Sequence, residues 1–151
     1  AVAIGFDGDH GALNAAYARI CDTGQRLTPL YADLTDPSPA QGWAQGERAG
    51  LAERGPADCV LALALLHHFA IARNVPLARV LDWLMSLAPS GIVEFVPKSD
   101  PQVQRMLRTR ADIFPDYTLD AFLALLTAQA RIERRVTLAP SGRELIAYAR
   151  R

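Results

Sequence analysis

The sequence predicts an α/β fold built on a mostly parallel sheet, and three observations support it. Apolar, strand-like runs alternate with helical patterns along nearly the whole chain, which is typical of βαβ units. Residues 58–69, DCVLALALLHHF, contain a continuous apolar run, as expected for a strand buried on both faces. Finally, two strand-like runs flank Pro140-Ser-Gly near the end of the chain, which indicates an antiparallel hairpin.

Composition and charge narrow the possible functions. The 151 residues fit one domain and can bury about 70% of the unfolded surface. Sixteen basic residues balance sixteen acidic ones, so net charge favours neither a nucleic-acid nor a membrane partner. Cys21 and Cys59 have no metal-ligand spacing, and so low a cysteine content predicts a reducing, cytoplasmic setting. No signal peptide is visible, and the apolar run at residues 60–66 is too short to cross a bilayer.

The predicted elements form one domain, residues 1–151, in which strands and helices alternate before the final hairpin. The predicted strands are residues 1–6, 27–32, 59–65, 92–96, 132–138 and 144–149. The predicted helices are residues 10–21, 43–54, 76–87 and 118–130, with another beginning at residue 101. A short helical turn is expected after the two histidines, and the chain has no internal repeat.

In the first half, apolar spacing and capping residues predict the elements. The short apolar run at residues 1–6 indicates a buried strand. Asp9 is a suitable N-cap for the helix that follows, and Gly24 ends it. Apolar residues recur in that helix at three- and four-residue spacing, which predicts a core-facing stripe. The stripe is Leu13, Ala16, Tyr17 and Ile20. Gly46 and Gly50 weaken the second predicted helix.

In the second half the signals are clearer. A turn at Gly55-Pro56 leads into the central strand, residues 59–65. Pro76 opens an amphipathic helix. Its apolar stripe is Leu77, Val80, Leu81, Leu84 and Leu87. Asp100 precedes Pro101 and fits an N-cap, and Thr118 caps the last predicted helix.

Acidic residues end the first two predicted strands, where open α/β sheets bind ligands. Asp7 can accept hydrogen bonds from both ribose hydroxyls, and Gly8 would let a ribose or base approach the backbone. Asp33 can accept a hydrogen bond from an exocyclic amine, while Leu34 can cover a flat base. The alternative is structural, with Asp9 capping a simple turn and Asp33 serving as a cap or turn residue. Acids at both strand ends favour a nucleoside site more than either acid does alone.

The central strand ends in His67 and His68, and Glu94 lies within the next strand. One histidine of such a pair usually faces a cleft while the other packs or caps, and an imidazole there could act as a general base. No metal site is predicted, because no third ligand has suitable spacing. A carboxylate in a buried strand needs a partner, so Glu94 is either hydrogen-bonded in the core or directed at the cleft. His67 and Glu94 are therefore the candidates for catalysis.

Together these residues resemble the class I S-adenosylmethionine-dependent methyltransferases over nearly the whole chain. The strand ending in Asp7 resembles that family's second strand, and Tyr31-Ala-Asp33-Leu its third-strand motif. The stretch DCVLALALLHH is similar to the fourth-strand motif. The stretches EFVPKSDPQVQRML and DIFPDYT resemble a branch of predicted bacterial methyltransferases related to rhizobial nodulation proteins.

The resemblance implies a Rossmann-like sheet, S-adenosylmethionine as cofactor, and a small-molecule or carbohydrate-like methyl acceptor. In this family the acids hold the ribose and the adenine, and the end of the fourth strand lines the methyl-transfer cleft. The cofactor-binding residues that it implies are Asp7, Gly8, Asp33, Leu34, Leu65 and His67. Methyl transfer depends on in-line positioning more than on acid–base help, so a catalytic base need not exist.

The family's first strand and its glycine-rich loop, E/D-x-G-x-G-x-G, would precede Ala1, and these residues do not supply them. That strand belongs between the strands of Asp7 and Cys59, so we expect exposed sheet edges that a homodimer could pair. We also expect this chain alone to bind the cofactor weakly or not at all. The alternative function is a non-enzymatic interaction or dimerisation module derived from a methyltransferase. A nucleotide-binding domain of another class would need a phosphate-binding loop, which is not found.

Overall fold

A computed structural model describes all 151 residues, which form six β-strands and four α-helices. The strands are β1 Ala3–Asp7, β2 Leu27–Tyr31, β3 Val60–Ala62, β4 Ser90–Phe95, β5 Ala130–Leu138 and β6 Arg143–Arg150. The α-helices are α1 His10–Thr23, α2 Leu77–Leu87, α3 Pro101–Leu107 and α4 Leu119–Gln129. Short 3-10 turns cover Trp43–Gln45 and Leu51–Arg54, and a π-helical segment covers His68–Ala72. No helix has both the length and the apolar character needed to span a membrane.

The chain divides into two compact units, Ala1–Leu51 and Ala52–Arg151. The first unit holds α1 and a two-stranded parallel sheet of β1 and β2. The second holds a four-stranded sheet in the order β3-β4-β6-β5, in which β3 and β4 are parallel and β6 is antiparallel to both neighbours. The predicted α/β class and the C-terminal hairpin are confirmed. The prediction of a single domain over residues 1–151 stays a prediction.

The predicted single, mostly parallel sheet is wrong in its arrangement. The strands form two sheets, and antiparallel pairs are as numerous as parallel ones. The reason is that β1 and β3 each pair along one edge only, with β2 and β4 respectively. None of the six strands pairs with both β1 and β3.

β3 is an edge strand, which corrects the prediction of a long central strand buried on both faces. It covers three residues in place of residues 59–65. Ala64 has a φ of 50°, and this left-handed conformation cannot continue an extended strand. Leu61 is 64% exposed whereas its neighbour Ala62 is buried, so only one face of the strand is covered. Cys59, predicted to pack within the strand, is exposed.

The core of the second unit lies where α2 and α4 pack against each other and against the sheet. The predicted α2 stripe is confirmed, except that Leu87 is half-buried. Phe95 of β4 stacks on Phe122 of α4 with ring centroids 5.3 Å apart. Along β6 every second residue is buried from Glu144 to Tyr148, as the two-residue period of a strand requires. These alternating positions, with the helical stripes, enclose the core.

Local hydrogen bonds confirm the predicted helix ends. The side chains of Asp9, Asp100 and Thr118 accept hydrogen bonds from backbone N–H groups in the first turns of α1, α3 and α4. Each satisfies a donor that has no partner within its helix. Gly24 ends α1 with a φ of 67°, a left-handed conformation that glycine adopts without a Cβ clash.

In the first unit β1, α1 and β2 form as predicted, but they are not buried as predicted. No residue of β1, β2 or α1 is fully buried. Ile4 of the expected buried strand is 59% exposed, and Tyr17 of the expected helix stripe is 62% exposed. Two strands and one helix supply too few neighbours to enclose a side chain.

The helix predicted at residues 43–54 is wrong. Two 3-10 turns stand there, separated by the residues that link Gln45 to Leu51. Ala44 and Gln45 both have positive φ values, which a right-handed helix excludes. The glycines at positions 46 and 50 gain too little from helical hydrogen bonds to offset their backbone entropy, so the segment folds as turns.

Candidate functional site

Asp7 and Gly8 lie where β1 ends and α1 is about to begin. The Asp7 backbone pairs in parallel with Tyr31, and its carbonyl accepts the Ala32 N–H at 3.1 Å. Asp7 Oδ1 accepts the backbone N–H of Asp9 at 2.9 Å, which shapes the turn. A Cβ placed on Gly8 would meet nothing within 4 Å. The carboxylate of Asp7 is exposed, and its Oδ2 takes no part in the turn hydrogen bond. This oxygen can accept a hydrogen bond from a hydroxyl group.

Asp33 lies two residues beyond the end of β2, at the same edge of the small sheet as Asp7. Its Oδ1 accepts hydrogen bonds from the Thr35 backbone N–H at 2.9 Å and from the Thr35 hydroxyl at 2.6 Å. Asp33 is exposed and Leu34 is half-buried. The structural interpretation of Asp33 as a turn residue is therefore confirmed, while its contact with an adenine amine stays a prediction.

Two aromatic rings at this edge were not singled out from the sequence. His10, the first residue of α1, stacks on Tyr31, the last residue of β2. Their ring centroids are 4.5 Å apart and the planes differ by 4°. Both residues could have been found from the sequence, since Tyr31 belongs to the motif that contains Asp33 and His10 follows the turn of Asp7. The stack adds a flat aromatic surface beside the two carboxylates.

In the second unit, Leu65 and His67 follow the bend at Ala64. Leu65 is half-buried and His67 is 2% exposed, whereas His68 is exposed. Burial, helped by His68 and Arg143, lowers the pKa of His67 to about 4. The imidazole is therefore neutral at pH 7, and its buried Nδ1 has no hydrogen-bond partner. A group with this pKa is a weak proton acceptor at neutral pH, which disfavours His67 as a general base.

Glu94 is hydrogen-bonded within the second unit, as one of its two predicted alternatives required. Its Oε2 accepts the Ala64 N–H at 2.5 Å, and its Oε1 accepts Arg143 Nη1 at 3.3 Å. Arg143 Nε also donates to Asp100 Oδ2 at 2.8 Å. The hydrogen bond from Arg143 lowers the pKa of Asp100, and the backbone N–H of Gln102 adds to the effect. A catalytic role for Glu94 stays a prediction.

Arg143 is the residue of this cluster that sequence reasoning missed. It stands at the start of β6, far along the chain from both carboxylates that it joins. The only available signal was the cost of burying Glu94 without a partner. A second buried carboxylate, Glu144, has its own partners in Arg135 and Thr137 at 2.7 and 2.8 Å.

The candidate residues thus fall into two groups, each held within its own unit. In the first group, the acids and their neighbours lie at the carboxyl edge of the small parallel sheet. These residues are Asp7, Gly8, Asp33 and Leu34. In the second group, Leu65 and His67 follow β3 and Glu94 lies on β4. No cluster of three or more His, Cys, Asp or Glu side chains is arranged to hold a metal ion.

Comparison with known proteins relates the chain to a nodulation protein. No protein-family model matches it. It is 50% identical over 148 residues to the nodulation protein NoeA of Rhizobium meliloti (strain 1021). That match covers 98% of this chain, which spans 31% of the length of NoeA. The expected relation to rhizobial nodulation proteins is therefore confirmed, and it concerns part of NoeA.

A solved structure has a similar fold. The PH0226 protein from Pyrococcus horikoshii OT3 matches with a TM-score of 0.60 and 13% sequence identity. The match covers 99% of this chain and 72% of that protein. Identity this low bears on the fold alone, and the shared fold is a Rossmann-like α/β arrangement.

Proposed function

We propose that this chain is a methyltransferase-like domain, acting in methyl transfer from S-adenosylmethionine to a small-molecule or carbohydrate-like acceptor. One observation carries the proposal. Asp7 is the last residue of β1 and Asp33 lies two residues beyond β2, and because these strands pair in parallel, both carboxylates stand at the carboxyl edge of one sheet. This is where α/β folds bind nucleosides. The relation to NoeA and the Rossmann-like fold support the same family.

The side chains at this edge are chemically suited to the nucleoside part of the cofactor. Each acid uses Oδ1 to shape its own turn, so the turns hold the carboxylates in place. A carboxylate has lone pairs on both oxygens, and these can accept from ribose hydroxyls at Asp7 and from an adenine amine at Asp33. The open space at Gly8 leaves room beside the backbone. Leu34 would cover one face of the base.

In this proposal the residues of the second unit position the reactants and do not transfer a proton. When bound, S-adenosylmethionine supplies an electrophilic methyl group. Leu65 and His67 would line the path of the acceptor, and the imidazole of His67 stays neutral at pH 7 because of its low pKa. Glu94 has both oxygens engaged in hydrogen bonds. Rate enhancement would then come from alignment of the two reactants.

Isothermal titration calorimetry with S-adenosylhomocysteine tests the proposal. The titration is run on this chain and, in parallel, on NoeA of Rhizobium meliloti. Asp7→Asn keeps an oxygen for the turn but loses the charge, so we expect binding to weaken about tenfold or more. Asp22→Asn is the matched control, since Asp22 is an exposed carboxylate on α1, and it should leave binding unchanged.

The outcomes separate the chain from its longer relative. Binding by either protein, with the loss confined to Asp7→Asn or its equivalent, supports the cofactor assignment. Binding by NoeA alone would mean that this chain lacks part of the site. Absence of heat from both proteins would contradict the assignment altogether.

A second candidate is an interaction module that dimerises through its sheet edges. The observation that favours it is exposed apolar surface on the edge strands, since Ile4 of β1 and Leu61 of β3 are 59% and 64% exposed. Edge strands with such side chains readily pair with another chain. Size-exclusion chromatography with light scattering would show a dimer for the native chain and a monomer for Leu61→Lys. A monomer at all concentrations would exclude this candidate.

A further inference from the structure

We propose that Glu94 is the positioning residue for the β3 loop, residues 63–67, and holds it through the backbone of Ala64. The inference rests on the proposed function, because this loop carries Leu65 and His67, which would line the methyl-transfer cleft. Glu94 would then act on the reaction through the shape of the loop and would not touch the reactants.

Ala64 has a backbone conformation that needs support from its surroundings. Its φ of 50° lies in the left-handed region, which is unfavourable for a residue with a Cβ. Such a conformation persists only where the surroundings impose it. The Ala64 N–H donates to Glu94 Oε2 at 2.5 Å, and a short hydrogen bond to a charged oxygen is among the strongest available to a backbone amide.

Glu94 is itself held in place by Arg143. Its other oxygen accepts Arg143 Nη1, while Arg143 Nε donates to Asp100. The second oxygen of Asp100 accepts the backbone N–H of Gln102 and so caps α3. The chain of contacts therefore links the loop after β3 to β4, β6 and α3. Glu94 is 5% exposed, and both of its carboxylate oxygens accept hydrogen bonds from within the second unit.

Further support comes from the residues after the bend. The chain bends at Ala64, two residues beyond β3, and within three further residues both Leu66 and His67 are buried, at 0% and 2% exposure. The His68 N–H then donates to the Leu65 carbonyl at 3.0 Å, which opens the π-helical segment. If Ala64 returned to an extended conformation, the chain after it would leave in another direction, and these side chains would lose their present positions. The bend at Ala64 thus decides which groups the loop presents.

The test compares Glu94→Gln with Glu144→Gln. Glu144 is a matched control, since it is 4% exposed, lies in the same sheet and is paired to an arginine, yet it contacts β5 and not the β3 loop. Two quantities are measured: the hydrogen-exchange rate of the Ala64 amide by NMR, and the Kd for S-adenosylhomocysteine. We expect Glu94→Gln to speed exchange at Ala64 and to raise the Kd, each about tenfold. Glu144→Gln should change neither.

A rescue variant separates positioning from a general loss of stability. Ala64→Gly removes the Cβ that makes the left-handed bend unfavourable. In the Glu94→Gln background it should restore most of the lost affinity for S-adenosylhomocysteine, although it adds no contact. Equal losses in Glu94→Gln and Glu144→Gln, or no rescue by glycine, would overturn the proposal.

Failure of the proposed function would be seen separately. If the native chain binds no S-adenosylhomocysteine, the cofactor assignment is in question, but the Ala64 amide can still be followed without ligand. Exchange at Ala64 that is unaffected by Glu94→Gln would refute the positioning role in either case. Faster exchange in that variant alone would support it.

Discussion

The two units of this chain have equally regular secondary structure and very different burial. In Ala1–Leu51, only Gly50 is buried, although β1, β2 and α1 form as their sequence predicts. In Ala52–Arg151, two helices and a four-stranded sheet enclose a core that includes Phe122, Leu84 and Ile146. The first unit has its hydrogen bonds and caps, and the second has these and a packed interior.

The difference shows that local hydrogen bonds and helix caps can form in a segment that has no buried core. Capping and turn hydrogen bonds depend on residues a few positions apart, and the first unit has them at Asp7, Asp9 and Asp33. Burial requires neighbours from distant parts of the chain. Because burial of apolar surface is the main source of stability, we expect the second unit to dominate the unfolding of this chain.

The largest effect should come from core truncation. Phe122→Ala removes a fully buried ring that contacts Phe95 and should lower the free energy of unfolding by about 3–5 kcal/mol. Phe6→Ala in β1 truncates a ring that is 38% exposed and should cost less than about 1 kcal/mol, like most substitutions outside a core. Urea denaturation followed by circular dichroism measures both. Similar losses would mean that the two units are not so different as their burial indicates.

The next effect is a pH dependence confined to the second unit. The pKa of His67 falls from 6.5 to about 4 on folding, so below pH 6.5 the unfolded chain takes up a proton that the folded chain does not. Stability should therefore fall as the pH drops from 6.5 to 4, by about 3 kcal/mol in total. The unfolding midpoint in urea, measured across this range, checks the expectation.

Histidine variants locate the source of this pH dependence. His67→Asn should flatten the profile between pH 6.5 and 4.5, whatever its effect on stability at pH 7. His10→Asn is the control, since His10 lies exposed in the first unit and should leave the slope as it is. Further loss is expected below pH 4.5 from Glu144 and below pH 3.8 from Asp100, because the pKa of each carboxyl group is lowered in the folded state. A slope that survives in His67→Asn would contradict this origin.

The smallest effect compares two helix caps. Thr118→Ala removes the cap of α4, whose residues Phe122 and Leu126 are buried, and should lower global stability by about 1 kcal/mol. Asp9→Ala removes the cap of α1, which has no buried residue. Its effect should appear as faster amide exchange within α1, with little change in the global midpoint. A global loss from Asp9→Ala equal to that from Thr118→Ala would show that α1 unfolds together with the core.

Much of the local structure could be predicted because its causes are local. The caps at Asp9, Asp100 and Thr118 and the stop at Gly24 follow from side-chain chemistry and φ preference, and each is confirmed. The α2 stripe was predictable from its spacing because a helix repeats every 3.6 residues. The helix predicted at residues 43–54 does not form, because Gly46 and Gly50 lose more backbone entropy in a helix than other residues do and Ala44 and Gln45 adopt positive φ values.

The candidate site was predictable only in part. Asp7 and Asp33 could be placed at strand ends from the order of the elements, and the parallel pairing of β1 with β2 puts those ends together. That Glu94 needs a partner also followed from its apolar surroundings. That the partner is Arg143, and that Glu94 holds Ala64 in a left-handed bend, depends on residues 49 and 30 positions away in the chain.

The sequence by itself determined most of the strands and helices, where most helices begin, and which acids lie at the ends of the first two strands. Those features arise from interactions between residues a few positions apart. Only the tertiary structure decided that the strands form two sheets, that β3 is an edge strand exposing Leu61, and that apolar runs in the first unit remain uncovered. The hydrophobicity of a side chain sets the free energy that it gains on burial. Whether it is buried depends on which distant segments of the chain pack against it.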